Sequence, residues 1–415
     1  ASRPSGASAN FNSVATLFED KYGTTSDNIS GRTYVNFGDT ETGILQGLKL
    51  SLNLGFDFVN SNGFTYYNPN FGNSANTKGM IAKTNGRTLS FTFNQLLTWN
   101  KKFGRHTIDL LGGHEFYAYK FNYLSATKTG FPFGGLYELD AATSITGASS
   151  YENNYAIESL LSRLNYNFSD KYYFSVSYRT DGSSRFNENH RWGEFWSVGG
   201  NWRISEENFM DGASWLDNLS LKASYGVQGN DAVGSFYAWQ AFYDLGWPNA
   251  NMSGAAVSSL ENTALKWELN KNFNTGIEAR LFNRINFGLE YYNRVTEDML
   301  LEYPIASSLG FDSYLKNIGS MRNQGFEGTL SGSVVNTRNF NWNLTLMGAT
   351  IKNKVLKLAD KPEIISGNYI IKEGEELNSF YLSKSAGVDP ATGAMIYSVF
   401  DTDDDGNKEY YLSTD

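Results

Sequence analysis

DGSSRFNENHRWGEFWSVGGNWRIS, residues 181–205, joins a polar, charged, turn-like half to a half that alternates between two kinds of side chain. In an extended chain, alternate residues of the second half lie on the same side. Trp196, Val198 and Trp202 lie on one side, and Ser197, Asn201 and Arg203 lie on the other. Successive side chains of a β-strand point to opposite faces. The stretch therefore predicts a strand with one apolar and one polar face, entered from a polar loop.

The same alternation recurs along the chain. It is found in QGLKLSLNLGFDF (46–58), KYYFSVSYRT (171–180), NLSLKASYGV (218–227), RINFGLEYYN (284–293) and FNWNLTLMGAT (340–350). No helical period of comparable length accompanies these segments. The pattern predicts an all-β protein with about a dozen strands.

Composition narrows the class of protein. Aromatic residues make up 15% of the chain and glycine reaches 41 residues, whereas proline contributes only 7, which suits strands. No apolar run approaches the roughly 20 residues of a membrane-spanning helix. The net charge of −9 argues against a nucleic-acid partner. The absence of cysteine excludes disulfides and thiolate metal sites.

The connections between the predicted strands alternate in length. Short turns lie near 100–105, 169–171, 282–284 and 336–339, and long polar segments lie near 60–87, 121–152, 180–194, 229–270 and 293–323. Short periplasmic turns and long extracellular loops are typical of outer-membrane barrels. We therefore expect residues 1–415 to form part of a transmembrane antiparallel β-barrel in the cell outer membrane. Aromatic packing in the core of a soluble β protein is the alternative interpretation.

Several aromatic residues are predicted to lie at the boundary between lipid and water, where amphipathic rings are favoured. This candidate girdle comprises Trp192, Trp196, Trp202, Tyr291 and Tyr292.

Five segments in order resemble one family. They are YRTDGSSRFNENHRWGEFWSVGGNWRISEENFM (178–210), WLDNLSLKASYGVQGND (215–231), LKWELNKNFNTGIEARLFNRINFGLEYYNRVTEDMLL (265–301), NIGSMRNQGFEGTLSGSVV (317–335) and GVDPATGAMIY (387–397). Together they are similar to the mid-barrel region of SusC/RagA-type TonB-dependent transporters of the Bacteroidetes outer membrane.

The resemblance implies a 22-stranded barrel plugged by an N-terminal domain. It also implies import of oligosaccharides or oligopeptides with energy from TonB, a SusD-like surface lipoprotein as a lid, and contact with lipid and lipopolysaccharide (LPS). The sequence departs from the complete family pattern, because it shows no plug domain, no TonB box and too few strands. We therefore expect an internal part of the barrel, with TonB acting through a plug that is not in this chain. A non-transporting structural or adhesin-like barrel and a soluble β-rich glycan-binding module are the alternative functions.

A segment rich in aromatic residues, FYAWQAFYDLGWPN (236–249), is the candidate for ligand or lid contact, since exposed rings stack on sugars or grip peptide side chains. The residues concerned are Tyr237, Trp239, Phe242, Tyr243 and Trp247. The alternative interpretation is that these rings pack the loop against its neighbours.

DTDDDGNKEY (401–410) matches the start of a calcium loop, with Asp401, Asp403 and Asp405 as candidate ligands. The match fails at the twelfth position, where Leu412 replaces the bidentate glutamate, and an acidic turn is the alternative. No other cofactor is expected. The three histidines are widely spaced and no nucleophile motif accompanies them, so we expect no catalytic residues and no enzyme activity.

Overall fold

The computed structural model describes residues 13–38, 46–72, 74–250, 252–358, 363–398 and 410–412. Regular structure in these residues is almost entirely β. One helix, α1 (Ser13–Glu19), precedes the strands, and the short 3-10 helices are Ala75–Thr77, Leu139–Ala141, Ile204–Glu206, Asn208–Met210 and Ser307–Leu309. The strands are β1 (Lys21–Gly38), β2 (Leu48–Tyr67), β3 (Met80–Phe103), β4 (His106–Thr129), β5 (Ser144–Phe168), β6 (Tyr172–Ser183), β7 (Trp192–Arg203), β8 (Leu216–Asn230), β9 (Phe242–Asp244), β10 (Ala256–Ser259), β11 (Glu268–Leu281), β12 (Ile285–Glu297), β13 (Leu300–Pro304), β14 (Ser313–Asn317), β15 (Ser320–Asn336), β16 (Asn341–Ala349), β17 (Lys352–Lys357), β18 (Glu363–Ser366), β19 (Tyr369–Lys372), β20 (Ser379–Phe380), β21 (Lys384–Val388), β22 (Met395–Ser398) and β23 (Tyr410–Leu412).

The chain divides into two compact units. The first comprises Ala1–Trp202 and Asp231–Trp267, and the second comprises Arg203–Asn230 and Glu268–Asp415. No separate plug domain lies among the described residues, and no helix within them is long and apolar enough to cross a membrane.

The first unit contains seven sheet strands, β1 to β7, each antiparallel to the next in the chain. The register aligns one apolar residue from each of six strands in a single row: Leu48, Trp99, Leu110, Leu164, Val176 and Val198. The neighbouring row, one residue away on the opposite face, ends in Arg163, Ser177 and Ser197. The sheet therefore has one apolar face and one polar face, as the alternation predicts.

The second unit repeats this arrangement with β8, β11, β12, β15 and β16, again as antiparallel neighbours. Strand β15 also pairs with β17, beyond the end of its pairing with β16. One row of this sheet is apolar throughout: Leu219, Ala279, Phe287, Leu330 and Leu346. The strands of the two units belong to one 13-stranded sheet, in agreement with the dozen or so strands that the sequence predicts.

Buried hydrophobic clusters lie beside the connections and not across the sheets. One joins Tyr66, Ile81, Phe131 and Ala142 in the first unit. Another joins Ile318, Val355, Leu358 and Ile364 in the second unit. Many large apolar side chains of the sheet strands are exposed, as expected for a face that contacts lipid.

Residues with positive φ close the short turns, such as Gly104, Ser169 with Asp170, and Phe282 with Asn283. The long connections predicted at 60–87, 121–152, 180–194, 229–270 and 293–323 are shorter than expected, because the strands continue into them. The segments between the sheet strands are 68–79, 130–143, 184–191, 231–267 and 298–319. These strand ends carry Ser, Asn, Gly and Tyr on both faces, so alternation disappears while backbone pairing continues.

Candidate ligand-contact and membrane-contact surfaces

The three tryptophans of β7 share the apolar face of the first sheet. Trp192, Trp196 and Trp202 pair with Gly182, Tyr178 and Tyr172 of β6. Trp202 stacks on Tyr172 with a centroid separation of 6.5 Å, and a Cβ on Gly182 would lie 2.9 Å from the Trp192 indole. This geometry suits an aromatic girdle, which stays a prediction for these three residues.

Tyr291 and Tyr292 are adjacent in β12 and point to opposite faces. Tyr291 lies on the apolar face and contacts Phe326, with ring centroids 5.1 Å apart. The Tyr292 hydroxyl donates to the Thr350 carbonyl oxygen over 3.2 Å from the other face. The register therefore places only Tyr291 on the apolar face, and the girdle assignment of both tyrosines stays a prediction.

We expect Trp196→Arg to lower the folded fraction of the complete barrel by an amount equivalent to about 1–2 kcal/mol. A charge on the lipid face costs roughly 2–4 kcal/mol at the midplane and less near the interfaces. Folded protein in the outer membrane, measured by heat-dependent gel mobility, checks this expectation. Ser197→Arg is the matched control, since Ser197 shares the polar face with Ser177, 2.6 Å away. Equal losses for the two variants would show that the assignment of faces is wrong.

The five aromatic residues predicted for ligand or lid contact separate into two groups. Tyr237 and Trp239 are half-buried, and the Asn154 backbone N–H donates to the Tyr237 hydroxyl oxygen over 2.7 Å. Phe242, Tyr243 and Trp247 are exposed around the hairpin of β9 and β10, with exposed fractions of 63% for Tyr243 and 61% for Trp247. Tyr237 ties the segment to β5, whereas Phe242, Tyr243 and Trp247 expose their rings.

Strands β4 and β5 carry an aromatic ladder that the sequence-based predictions do not include. Its members occupy the face opposite the apolar row: Tyr117, Tyr119, Phe121 and Tyr123 on β4, and Tyr151 and Tyr155 on β5. The register places Tyr119 opposite Tyr155 and Tyr123 opposite Tyr151. Alternating aromatics in EFYAYKFNYL (115–124) were the available signal. The predicted loop boundary at residue 121 cut through them.

The segment that follows β8 covers one end of this ladder. Asp231 accepts hydrogen bonds on Oδ2 from the Tyr155 hydroxyl at 2.8 Å and from Ser183 Oγ at 2.7 Å. The Arg185 guanidinium lies over the Tyr155 ring at 4.7 Å and donates to the Asp231 backbone oxygen at 3.0 Å. Phe236 then stacks on Tyr119, with centroids 5.7 Å apart. The Arg185 guanidinium lies over the rings of Tyr155 and Phe236 and is paired with the Asp231 carboxylate. These contacts stabilise the segment against the sheet.

The polar first half of the segment at residues 181–205 is bound to the sheet through both backbone and side chains. Ser184 exchanges two hydrogen bonds of 2.9 Å with the backbone of Ala156. Phe186 is fully buried and meets Trp267, whose Nε1 donates to the Arg191 carbonyl oxygen over 2.8 Å. This polar segment is therefore a fixed part of the first unit.

Charged groups on the polar face are paired with one another. Arg179 donates to Asp181 over 2.6 Å, to Glu115 over 3.0 Å and to Ser159 over 2.8 Å. Hydrogen-bonded charges of this kind stabilise a fixed arrangement, in which one guanidinium is shared between two carboxylates.

Glu152 lies at the loop end of β5, beyond the roughly 9–11 residues beside the Ser169–Lys171 turn that suffice to cross a bilayer. Hydrogen bonds from Asn154, then from Lys120 and Asn122, lower the pKa of Glu152 to about 2. A lowered pKa contributes stability above the unfolded value, 4.5, which is lost as the pH falls through about 2. We expect the stability difference between wild type and Glu152→Gln to be constant from pH 7 to pH ~4.5, to decline below pH ~4.5 and to be lost near pH 2. Denaturant unfolding of the complete barrel at several pH values measures this, and a difference that vanished above pH ~5 would contradict it.

The described residues contain no group of three or more His, Cys, Asp or Glu side chains that could hold a metal ion. Asp401, Asp403 and Asp405, the predicted calcium ligands, lie outside the described residues.

Comparisons with known proteins identify the type of barrel. The model of the family described as "TonB dependent receptor-like, beta-barrel" matches residues 2–387. TonB-dependent receptor P39 of Formosa agariphila is 33% identical over 362 residues, which cover 83% of this chain and 34% of that protein. TonB-dependent receptor SusC of Bacteroides thetaiotaomicron is 26% identical over 344 residues, 80% of this chain and 33% of that protein.

Solved structures of a peptide transporter also match this chain. The RagAB peptide transporter matches with a TM-score of 0.89 and 28% identity, covering 99% of this chain and 46% of that chain. The closed-closed state of the RagAB peptide importer matches with a TM-score of 0.85 and 28% identity, covering 95% of this chain and 44% of that chain. The chain thus spans about a third of the length of the curated relatives and less than half of the matched structures.

Proposed function

Because this chain belongs to the TonB-dependent receptor-like β-barrel family and lies in the outer membrane, we propose that it is barrel wall of a SusC/RagA-like importer of oligosaccharides or oligopeptides. The main support is the likeness to the RagAB peptide transporter, at a TM-score of 0.89 over 99% of the chain. The likeness to SusC, at 26% identity over 80% of the chain, supports the same type of transporter. These two likenesses leave both substrate classes open.

The proposal assigns separate roles to the two faces of each sheet. The apolar face contacts lipid and, at its outer rim, LPS, whereas the polar face lines the path that the substrate follows. Energy from TonB reaches this wall through a plug domain that is not in this chain. In this proposal the barrel strands of this chain line the passage and contact the substrate, whereas the plug domain opens and closes the passage.

A SusD-like surface lipoprotein is the proposed lid. Phe242, Tyr243 and Trp247 are its candidate contacts, since these rings are exposed on a hairpin outside the sheets. Exposed aromatic residues are frequent anchors in protein interfaces. Co-purification of the complete transporter with its lipoprotein tests the assignment. Unchanged recovery after Tyr243→Ser and Trp247→Ser would exclude the hairpin as a lid contact.

Uptake by the source bacterium tests the transport function. Deletion of the gene is expected to abolish uptake of a fluorescent oligosaccharide or oligopeptide, and the complete gene is expected to restore it. A complementing gene that lacks the TonB-contacting segment is the control, and it should fail to restore uptake. Unchanged uptake of both substrate classes in the deletion strain would reject the importer and favour an adhesin-like barrel.

A further inference from the structure

We propose that Phe121, Tyr123 and Tyr151 form a stacking site for the ring faces of a neutral oligosaccharide on the polar face of the first sheet. These residues are named the open aromatic triad. The inference rests on the importer function proposed above and adds its substrate class and a contact site.

The triad is a set of three mutually contacting rings. The centroid separations are 6.4 Å for Phe121 to Tyr123, 6.0 Å for Phe121 to Tyr151 and 5.1 Å for Tyr123 to Tyr151. Tyr151 is 52% exposed, and the other two rings are half-buried. The Arg185 and Phe236 contacts reach Tyr119 and Tyr155 but none of these three rings. The ladder therefore has a covered end and an open end.

The position of the triad excludes a role in anchoring the barrel to lipid. Phe121 pairs with Thr88 and Tyr123 pairs with Gly86 of β3, whereas the apolar residues of β3 occupy the alternate positions. Gly86 lies beside Phe121, and a Cβ at Gly86 would meet the ring at 3.4 Å, which is ordinary contact. The register therefore displays the three rings on the face that the proposal assigns to the passage.

The groups around the triad are polar and uncharged. The neighbouring positions on this face are Thr84, Gly86, Thr88, Ser125, Ser149 and Asn153. Among the described residues, the hydroxyls of Tyr123 and Tyr151 have no hydrogen-bond partner, in contrast to the Tyr155 hydroxyl, which donates to Asp231. The site therefore offers flat apolar rings with unused hydroxyl groups beside them.

This combination matches a neutral sugar better than a peptide. A sugar ring presents an apolar C–H face for stacking and hydroxyl groups for hydrogen bonds to tyrosine, serine, threonine and asparagine. An anionic polysaccharide or a charged peptide would bring charges for which the side chains around the triad offer no charged partner. The nearby Arg185 and Arg179 are already paired with Asp231, Glu115 and Asp181. The uncharged surroundings therefore favour the neutral oligosaccharide.

Calorimetric titration of the complete, detergent-purified transporter tests the site. The probes are unbranched neutral hexasaccharides of glucose, mannose and xylose, with neutral-sequence hexapeptides as the second class. We expect at least one hexasaccharide to bind, and the double variant Tyr123→Ala with Tyr151→Ala to weaken its binding about tenfold or more, because two of the three stacking rings are removed. The Tyr→Phe double variant keeps the rings and should bind within about fivefold of wild type. Tyr178→Ala, which removes a ring from the opposite face, is the matched control and should not change the affinity.

The outcomes separate this inference from the importer proposal. Binding and uptake of hexapeptides without any hexasaccharide binding would overturn the neutral-sugar assignment and leave the importer intact. Unchanged hexasaccharide affinity in the double alanine variant, with normal heat-dependent gel mobility, would overturn the triad as the contact site. Uptake of neither class by cells with the intact gene would reject the importer function itself.

Discussion

Gly325→Ala is expected to prevent the second unit from folding normally. A Cβ at this position would lie 1.8 Å from the Thr350 carbonyl oxygen and 2.8 Å from the Tyr292 hydroxyl. The nearest atom belongs to the backbone, so no side-chain rotation relieves the clash. Overpacking of this kind costs roughly 1–3 kcal/mol, and we expect at least the upper value because the backbone must move.

The surrounding hydrogen bonds show why the backbone cannot yield easily. The Thr350 N–H donates to the Phe326 carbonyl oxygen over 2.8 Å, and the Phe326 N–H donates to Thr350 Oγ1 over 3.0 Å. Strand β15 is paired with β12 on one side and with β16 and β17 on the other. Moving the Thr350 carbonyl away from residue 325 would disturb the junction between β16 and β17.

The heat-modifiable folded fraction of the complete barrel in outer membranes measures this effect. Gly348→Ala is the matched control, since a Cβ on this glycine of β16 meets nothing within 4 Å. We expect the control to fold like wild type. Equal folded fractions for Gly325→Ala and Gly348→Ala would contradict the expectation.

Asp231→Ala is expected to release the segment that covers the aromatic ladder. The substitution removes the acceptor of the Tyr155 and Ser183 hydroxyls and the partner of Arg185, whose charge then lies over two rings without a carboxylate. Breaking a buried ion pair costs about 3–5 kcal/mol. The side chains of Arg185 and Asp231 are 20% and 18% exposed, so this pair is not fully buried. We therefore expect a smaller effect, a decrease of about 2–4 kcal/mol in the free energy of local opening.

Amide hydrogen exchange over residues 231–267 in the complete barrel measures this release, together with cleavage of the same segment by added protease. Asp244→Ala is the matched control, because Asp244 lies in the same segment, is exposed, and contacts only its own hairpin through Trp247 Nε1 and the Gly246 N–H. Protection that survives Asp231→Ala unchanged would show that Phe186 and Trp267 alone hold the segment.

The membrane-contact surface was predicted more completely than the ligand-contact surface. Alternation places Trp196 and Val198 on one side and Ser197 on the other without knowledge of any neighbour, and the pairing with β6 agrees. Tyr291 and Tyr292 were predicted together for the girdle, although the period of the strand places them on opposite faces. The loop aromatics could not be sorted, since the Tyr237 hydroxyl accepts from the Asn154 N–H and no local pattern reports a contact 83 residues away.

The sequence by itself determined that the protein is all-β, that each strand has a lipid-type and a polar face, and that the chain resembles SusC/RagA-type barrels. These properties depend on the period of two, which the strands express locally in the segments that alternate. The strand ends, the aromatic triad and the Asp231 contacts were decided only by the tertiary structure. The triad and the Asp231 contacts depend on the register between strands and on the path of a distant segment. The strand ends pair through their backbones, and backbone pairing does not require alternation of the side chains.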